Sequence, residues 1–193
     1  MTITCKTTLV ALAAAAVLCL AGQAQAVGYS GTTTGAPTFN RPMAGAPPTS
    51  LSGVATAVRY SAQSFTVSTS GTYQFLSIAI GGWDNFSLLY QNTFVPTSSL
   101  TNVLVGNDDY LNDINNIGVS GFSAALVAGT PYFYVTTGFS NTSFGAFTDS
   151  ITGPGLVTLP QVPEPGSRES MALGLAVLAL TARRIAAKRQ EPS

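Results

Sequence analysis

The sequence predicts an all-β fold, a single antiparallel β-sandwich of jelly-roll-like form, and three observations point to it. Short runs of alternating apolar and polar residues recur through the middle of the chain, bounded by Gly-, Asn- and Ser-rich turns. No stretch between Val27 and Pro160 repeats its apolar residues at helical spacing. The patterned stretch is also long enough to enclose a two-sheet core. The two ends of the chain stand outside this pattern, an N-terminal signal peptide and a C-terminal hydrophobic helix.

Residues 1–26 read MTITCKTTLVALAAAAVLCLAGQAQA. Lys6 supplies a positive start, Leu9 to Leu20 an apolar run, and Ala24-Gln25-Ala26 the small–x–small pattern of a signal peptidase site. Cleavage is expected between Ala26 and Val27. A retained membrane helix competes with this reading, but the run is short for one. A lipoprotein signal at Cys19 is disfavoured by the bulk of Leu18 just before it. Cys5 and Cys19 are the two cysteines, so the mature chain is expected to hold no thiol, disulfide or cysteine metal site.

Residues 27–57, rich in Gly, Thr and Pro, read as an irregular lead-in with room for a first strand. Residues 58–152 form the predicted sandwich. In SFTVS, Phe65 and Val67 face one way and Thr66 and Ser68 the other. Ser70-Gly71 turns the chain into TYQFLSIAI, Gly81-Gly82 breaks that run, and NFSLLY follows with Phe86, Leu88 and Tyr90 on one face. After NVLVG comes a polar loop, GNDDYLNDINN. GFSAALV, the turn Ala128-Gly129-Thr130 and PYFYVTTGF make a hairpin, and FGAFTDSI ends the series. PYFYVTTGF is apolar on both alternations, as an inner strand should be. Residues 153–165, GPGLVTLPQVPEP, read as a stiff, proline-rich linker.

Charge excludes one class of partner. Only 8% of the chain is charged. Between Val27 and Val162, Arg41 and Arg59 stand against Asp84, Asp108, Asp109, Asp113 and Asp149, a formal net charge of −3. A nucleic-acid surface needs clustered cations, so no nucleic acid is expected. The chain has no His, which removes Ser-His-Asp and Cys-His catalysis and His-based zinc sites. Glu164, Glu169 and Glu191 all lie beyond the predicted domain. A hydrolase built on a pair of aspartates is the competing chemistry, and no spacing singles out such a pair. The expectation is a protein without enzymatic activity or cofactor.

One polar cluster invites a metal. Asn107, Asp108, Asp109, Asn112 and Asp113 lie within one loop, and Asp84 and Asn85 in an earlier turn. Oxygen ligands of this kind suit calcium, with Asp84, Asn107, Asp108, Asp109 and Asp113 as the candidate set. The spacing does not match the twelve-residue calcium loop, and a solvated turn explains the same residues. Trp83 and Tyr110 would stack on a sugar ring if exposed, although a lone Trp beside a strand more often packs. Together these features make a calcium-dependent glycan-binding module the alternative function. Asn141-Thr142-Ser143 matches a glycosylation sequon.

Residues 166–193 hold an apolar run, Met171 to Ala182, closed by Arg183-Arg184 and preceded by Val162-Pro163-Glu164-Pro165. As a helix the run would span roughly 18 Å, against about 30 Å of hydrocarbon. The basic end would stay cytoplasmic. Such a tail suits a transient inner-membrane stop better than a permanent anchor, which is the competing reading.

This layout resembles the PEP-CTERM sorting signal of Gram-negative bacteria, carried by Val162, Pro163, Glu164, Pro165, the apolar run, Arg183 and Arg184. The resemblance implies recognition by an exosortase and delivery to the cell surface or the exopolysaccharide. The Arg168-Glu169 pair and the short run depart from the usual pattern. A second resemblance covers about Ser64 to Phe139. Asp84, Leu88, Tyr90, Asn107, Asp108, Asp109, Gly129, Thr130 and Tyr132 fall on the pattern of the bacterial pre-peptidase C-terminal domain. That similarity implies a β-sandwich accessory module, some of whose relatives are thought to bind calcium or polysaccharide.

Overall fold

The computed structural model describes residues 24–110 and 117–160. Asn112, Asp113, the 162–165 motif, Arg183, Arg184 and most of the segment expected as a signal peptide therefore lie outside the described residues. Among the described residues no helix is long and apolar enough to cross a membrane.

Among the described residues, ten strands make two antiparallel sheets: β1 (Gln25–Thr32), β2 (Thr38–Phe39), β3 (Val58–Val67), β4 (Gly71–Ile80), β5 (Asn85–Gln91), β6 (Val103–Asn107), β7 (Val119–Leu126), β8 (Tyr132–Gly138), β9 (Ala146–Gly153) and β10 (Val157–Thr158). The first sheet runs β1-β9-β4-β7, the second β10-β3-β8-β5-β6, with β2 also paired to β3. From β3 to β9 the chain changes sheet at every connection except the β5–β6 hairpin, the path of a jelly roll. Gly81 and Gly82 make the β4–β5 turn at φ of 94° and 75°, which only glycine adopts without strain.

The strand pattern read from the sequence is present, and its alternation sets the core. Phe65 and Val67 of β3, Tyr73 and Phe75 of β4, Leu89 of β5, Tyr132 and Tyr134 of β8 and Ile151 of β9 fill the space between the sheets. β8 lies between β3 and β5, and all but one of its residues are buried, as its double apolar alternation requires. β5 is buried on six of its seven positions, because its other face has a cover of its own.

That cover is the lead-in, residues 27–57, which also holds the strand that the sequence left room for. The lead-in is largely irregular, but it carries β1 and β2, and its later part lies over the outer face of the second sheet. Phe39 and Ala55 pack there on Val58, Phe86, Leu88, Tyr90 and Val135, with Tyr60 and Phe94 at the margin. Phe39, Tyr60 and Phe94 meet edge to face at centroid distances of 5.0–5.6 Å. β1 is a full eight-residue strand that starts before the expected cleavage point, with Gln25 and Ala26 paired to Gly153 and Thr152. Cleavage after Ala26 would keep the six pairs from Val27 to Thr32. The alternation of β1 is weak because only Val27 and Tyr29 are apolar on its inward face, where Gly31 takes the third position.

The segment expected as linker is corrected. Val157 and Thr158 pair with Val67 and Thr66, and Val157 is buried in the main core. The compact unit ends at Leu159, so the proline-rich stretch outside it begins at Pro160. Two prolines around a two-residue edge strand masked it, since proline is tolerated at a sheet edge.

One layer of the interior is polar. Tyr29, Asp149, Ser77 and Ser120 form one transverse row across the first sheet. Ser61, Thr136, Ser87 and Asn107 form the matching row across the second. The two rows are joined by Thr136 Oγ1 donating to Asp149 Oδ2 at 2.5 Å and by the Ser87 and Ser120 hydroxyls at 2.6 Å. Below this layer the core is apolar; above it lie the β4–β5, β6–β7 and β8–β9 connections.

Candidate functional site

The connections gathered above the polar layer hold nearly every candidate residue that the structure describes. Asn85 is fully enclosed: its Nδ2 donates to Ser77 O at 3.1 Å and Ser77 Oγ at 3.0 Å, and its Oδ1 is buried without a partner. Asn107 has a similar structural duty. Its Nδ2 donates to Gly121 O at 2.7 Å and to Asp109 O at 3.0 Å, which pins the start of the β6–β7 loop to β7.

Asp84, Asp108 and Asp109 do approach one another, close enough for their charges to couple. Burial pushes the Asp108 carboxyl up to about 7, helped by the negative charges of Asp84 and Asp109 and opposed by Arg41. Asp84 is also raised, by burial first and then by Asp109, again against Arg41. Yet among the described residues no three carboxylates converge as a metal-binding group. The β4–β5 turn and the residues after β6 bring these aspartates together as mutually repelling neighbours, while Asp113 lies outside the described residues.

Neither aromatic candidate is a free stacking platform. Trp83 is half-buried, its indole N–H donates to Ala146 O at 2.8 Å, and its ring covers Gly145, where a Cβ would meet it at 2.5 Å. The Tyr110 ring covers Gly121 in the same manner, 2.9 Å from where a Cβ would stand. Each ring fills the gap that a glycine leaves. Asn141 of the sequon buttresses the fold: its Oδ1 accepts from Ala57 N at 2.9 Å and its Nδ2 donates to Thr56 Oγ1 at 3.2 Å.

Arg41 is the residue that sequence reading missed. It is 3% exposed. Its Nε donates to Gly138 O at 3.1 Å, Nη1 to Pro42 O at 2.9 Å and Nη2 to Phe139 O at 2.7 Å. The guanidinium lies 3.7 Å from the centroid of Phe86 and 5.4 Å from that of Phe139. Burial lowers its pKa to about 10, against the favourable charges of Asp108 and Asp84. The available signal was its isolation: one cation in a long uncharged stretch must either be solvated or be held for a purpose. Arg41 and Asp108 line a common cleft of about 230 Å³, with Met43, Val54 and Phe139. A second cleft of about 170 Å³ lies between Asn40, Leu51 and the 3₁₀ turn at Pro96–Ser98.

No protein-family model and no curated sequence matches the chain. Among solved structures it is similar to the CBM35 from Cellvibrio japonicus Abf62, at 13% identity and a TM-score of 0.34, covering 70% of this chain and 99% of that one. Infectious bursal disease virus, Gx strain, gives 12% identity and a TM-score of 0.11, covering 79% of this chain and 48% of that one. Likenesses of this size carry no argument about function.

Proposed function

We propose that this chain is a non-enzymatic exported protein, carried across the inner membrane by residues 1–26 and sorted by an exosortase through its C-terminal segment. The sandwich is the part that works at the cell surface or in the exopolysaccharide. One observation supports this reading above the rest. The folded unit occupies the interval between the two signals: its first strand opens at Gln25, inside the small–x–small motif, and the unit closes at Leu159, three residues before Val162. A cut after Ala26 and another near Pro165 would leave all the paired strands except the first two residues of β1.

The chemistry of the interior supports a role without catalysis. The buried aspartate, Asp149, is 1% exposed and held by the Thr136 hydroxyl, and the chain offers no histidine to act as a base. The test is the intact mass of the protein from its own host, in membrane, surface and medium fractions. A mass from Val27 to near Pro165 in the surface or medium fraction is expected. A mass running to Ser193 in the membrane fraction alone would make the tail an anchor and overturn the sorting.

A further inference from the structure

The Arg41–Asp108 cleft has features that the fold alone does not require. Arg41 is enclosed and rigidly oriented, and among the described residues its hydrogen bonds all go to backbone carbonyls. A guanidinium carries more N–H groups than those three bonds use. Asp108 lies in the same wall, and its Oδ1 is enclosed without a hydrogen-bond partner. An oriented guanidinium with unused N–H groups and a half-buried carboxyl in one cavity offer a ligand two convergent polar contacts. Around them the rim is apolar and open to solvent: Met43 is 51% exposed, Val54 54% and Phe139 38%.

From this arrangement we infer that the cleft binds one ring of a neutral, hydroxyl-rich sugar. The charges select the ligand class. An anion would suit Arg41 but would meet Asp108, with Asp84 and Asp109 behind it. A cation would suit the aspartates but would meet Arg41. A hydroxyl group serves both walls, because it accepts from the guanidinium and donates to the carboxyl. The C–H face of a pyranose then covers the exposed apolar rim. The cleft holds a single ring rather than a length of chain, so the ligand is a free sugar or a glycan end. The cleft shares Asp108 with the calcium candidates, but neither Trp83 nor Tyr110 lines it. The inference also does not rest on export or sorting.

The experiment is saturation-transfer NMR on the purified full chain with glucose, galactose, mannose and N-acetylglucosamine, and with glucuronate and glucosamine as charged probes. Chelator is present throughout. Binding of at least one neutral sugar is expected, with little or no signal from the charged pair. Asp108→Ala should weaken it about tenfold, the loss of one well-made hydrogen bond to an ionisable group. Val54→Trp, at an exposed rim position that can accept bulk without disturbing the core, should abolish it. No binding of any neutral sugar, preference for a charged probe, or binding that survives both substitutions would each overturn the assignment. The intact-mass measurement reads the sorting separately, so the failure of one does not decide the other.

Discussion

Tyr29 and Asp149 stand opposite each other on β1 and β9, and neither Tyr29 Oη nor Asp149 Oδ1 has a hydrogen-bond partner although both atoms are enclosed. The tyrosine hydroxyl is near enough to ease the carboxylate charge, along with Ser77 and Thr136, but its geometry falls short of a hydrogen bond. Burial dominates and raises the Asp149 pKa to about 6.

The sign of the resulting pH dependence is unusual for a carboxyl group. Asp149 and Asp108 hold their protons more tightly folded than unfolded, where both titrate near 3.8. Their contribution to stability is therefore full below about pH 4 and is lost as the pH rises through about 6 and 7. For Asp149 the change is on the order of 3 kcal/mol; Asp108 adds less, because solvent reaches it. The melting temperature should be higher near pH 4.5 than near pH 8. Asp149→Asn should remove most of that difference, and calorimetry across the range checks it.

Thr136→Val takes away the one hydroxyl seen donating to Asp149 Oδ2. At about pH 7.5, where the carboxylate is charged, the loss should be roughly 1–3 kcal/mol. Near pH 4.5 the carboxyl is neutral and the loss should shrink. Urea unfolding at the two pH values separates this from a simple packing defect, which would cost the same at both.

Arg41→Met keeps much of the packing on Phe86 but strands the carbonyls of Gly138, Pro42 and Phe139. A destabilisation of about 2–4 kcal/mol is expected. Arg41→Lys should recover little of it, because an ammonium cannot reach three carbonyls in one plane. Denaturant midpoints of the three proteins decide the point.

Ending the chain at Gly155 removes β10 and the burial of Val157, whereas ending it at Pro160 keeps both. The shorter chain should be less stable by about 1.5–3 kcal/mol, the scale of one buried aliphatic side chain. Equal stability of the two truncations would mean that β10 is ornamental to the domain.

The parts of the fold that the sequence discloses are those where side-chain alternation and burial agree. Phe65 and Val67, the glycine pair at 81–82 and the two-faced apolar run of β8 could each be placed before any coordinates. β10 escaped, and β1 was no more than room for a first strand, because edge strands need little apolar content. Half of the site was legible. Asp84 and Asp108 were flagged by their chemistry, but Arg41 joins them only through the packing of the lead-in over β5, and no local pattern announces that contact. Trp83 and Tyr110 misled because a single aromatic gives no hint of the glycine facing it: Gly145 is remote in the chain from Trp83, and Gly121 stands on the strand that follows Tyr110's loop.

The pairing of β1 with β9 sets an order of events. Val27 is opposite Ile151, so the first strand of the domain cannot find its neighbour until nearly all of the domain has been delivered. A chain that emerges N-terminus first must keep its opening strand unpaired throughout, with the uncharged edge at risk of the wrong partner. Closure is then a late, long-range step of the kind that makes folding slow. It couples the completion of the sandwich to the arrival of the residues just ahead of the C-terminal segment, so a tail that pauses there would give the first strand time to dock.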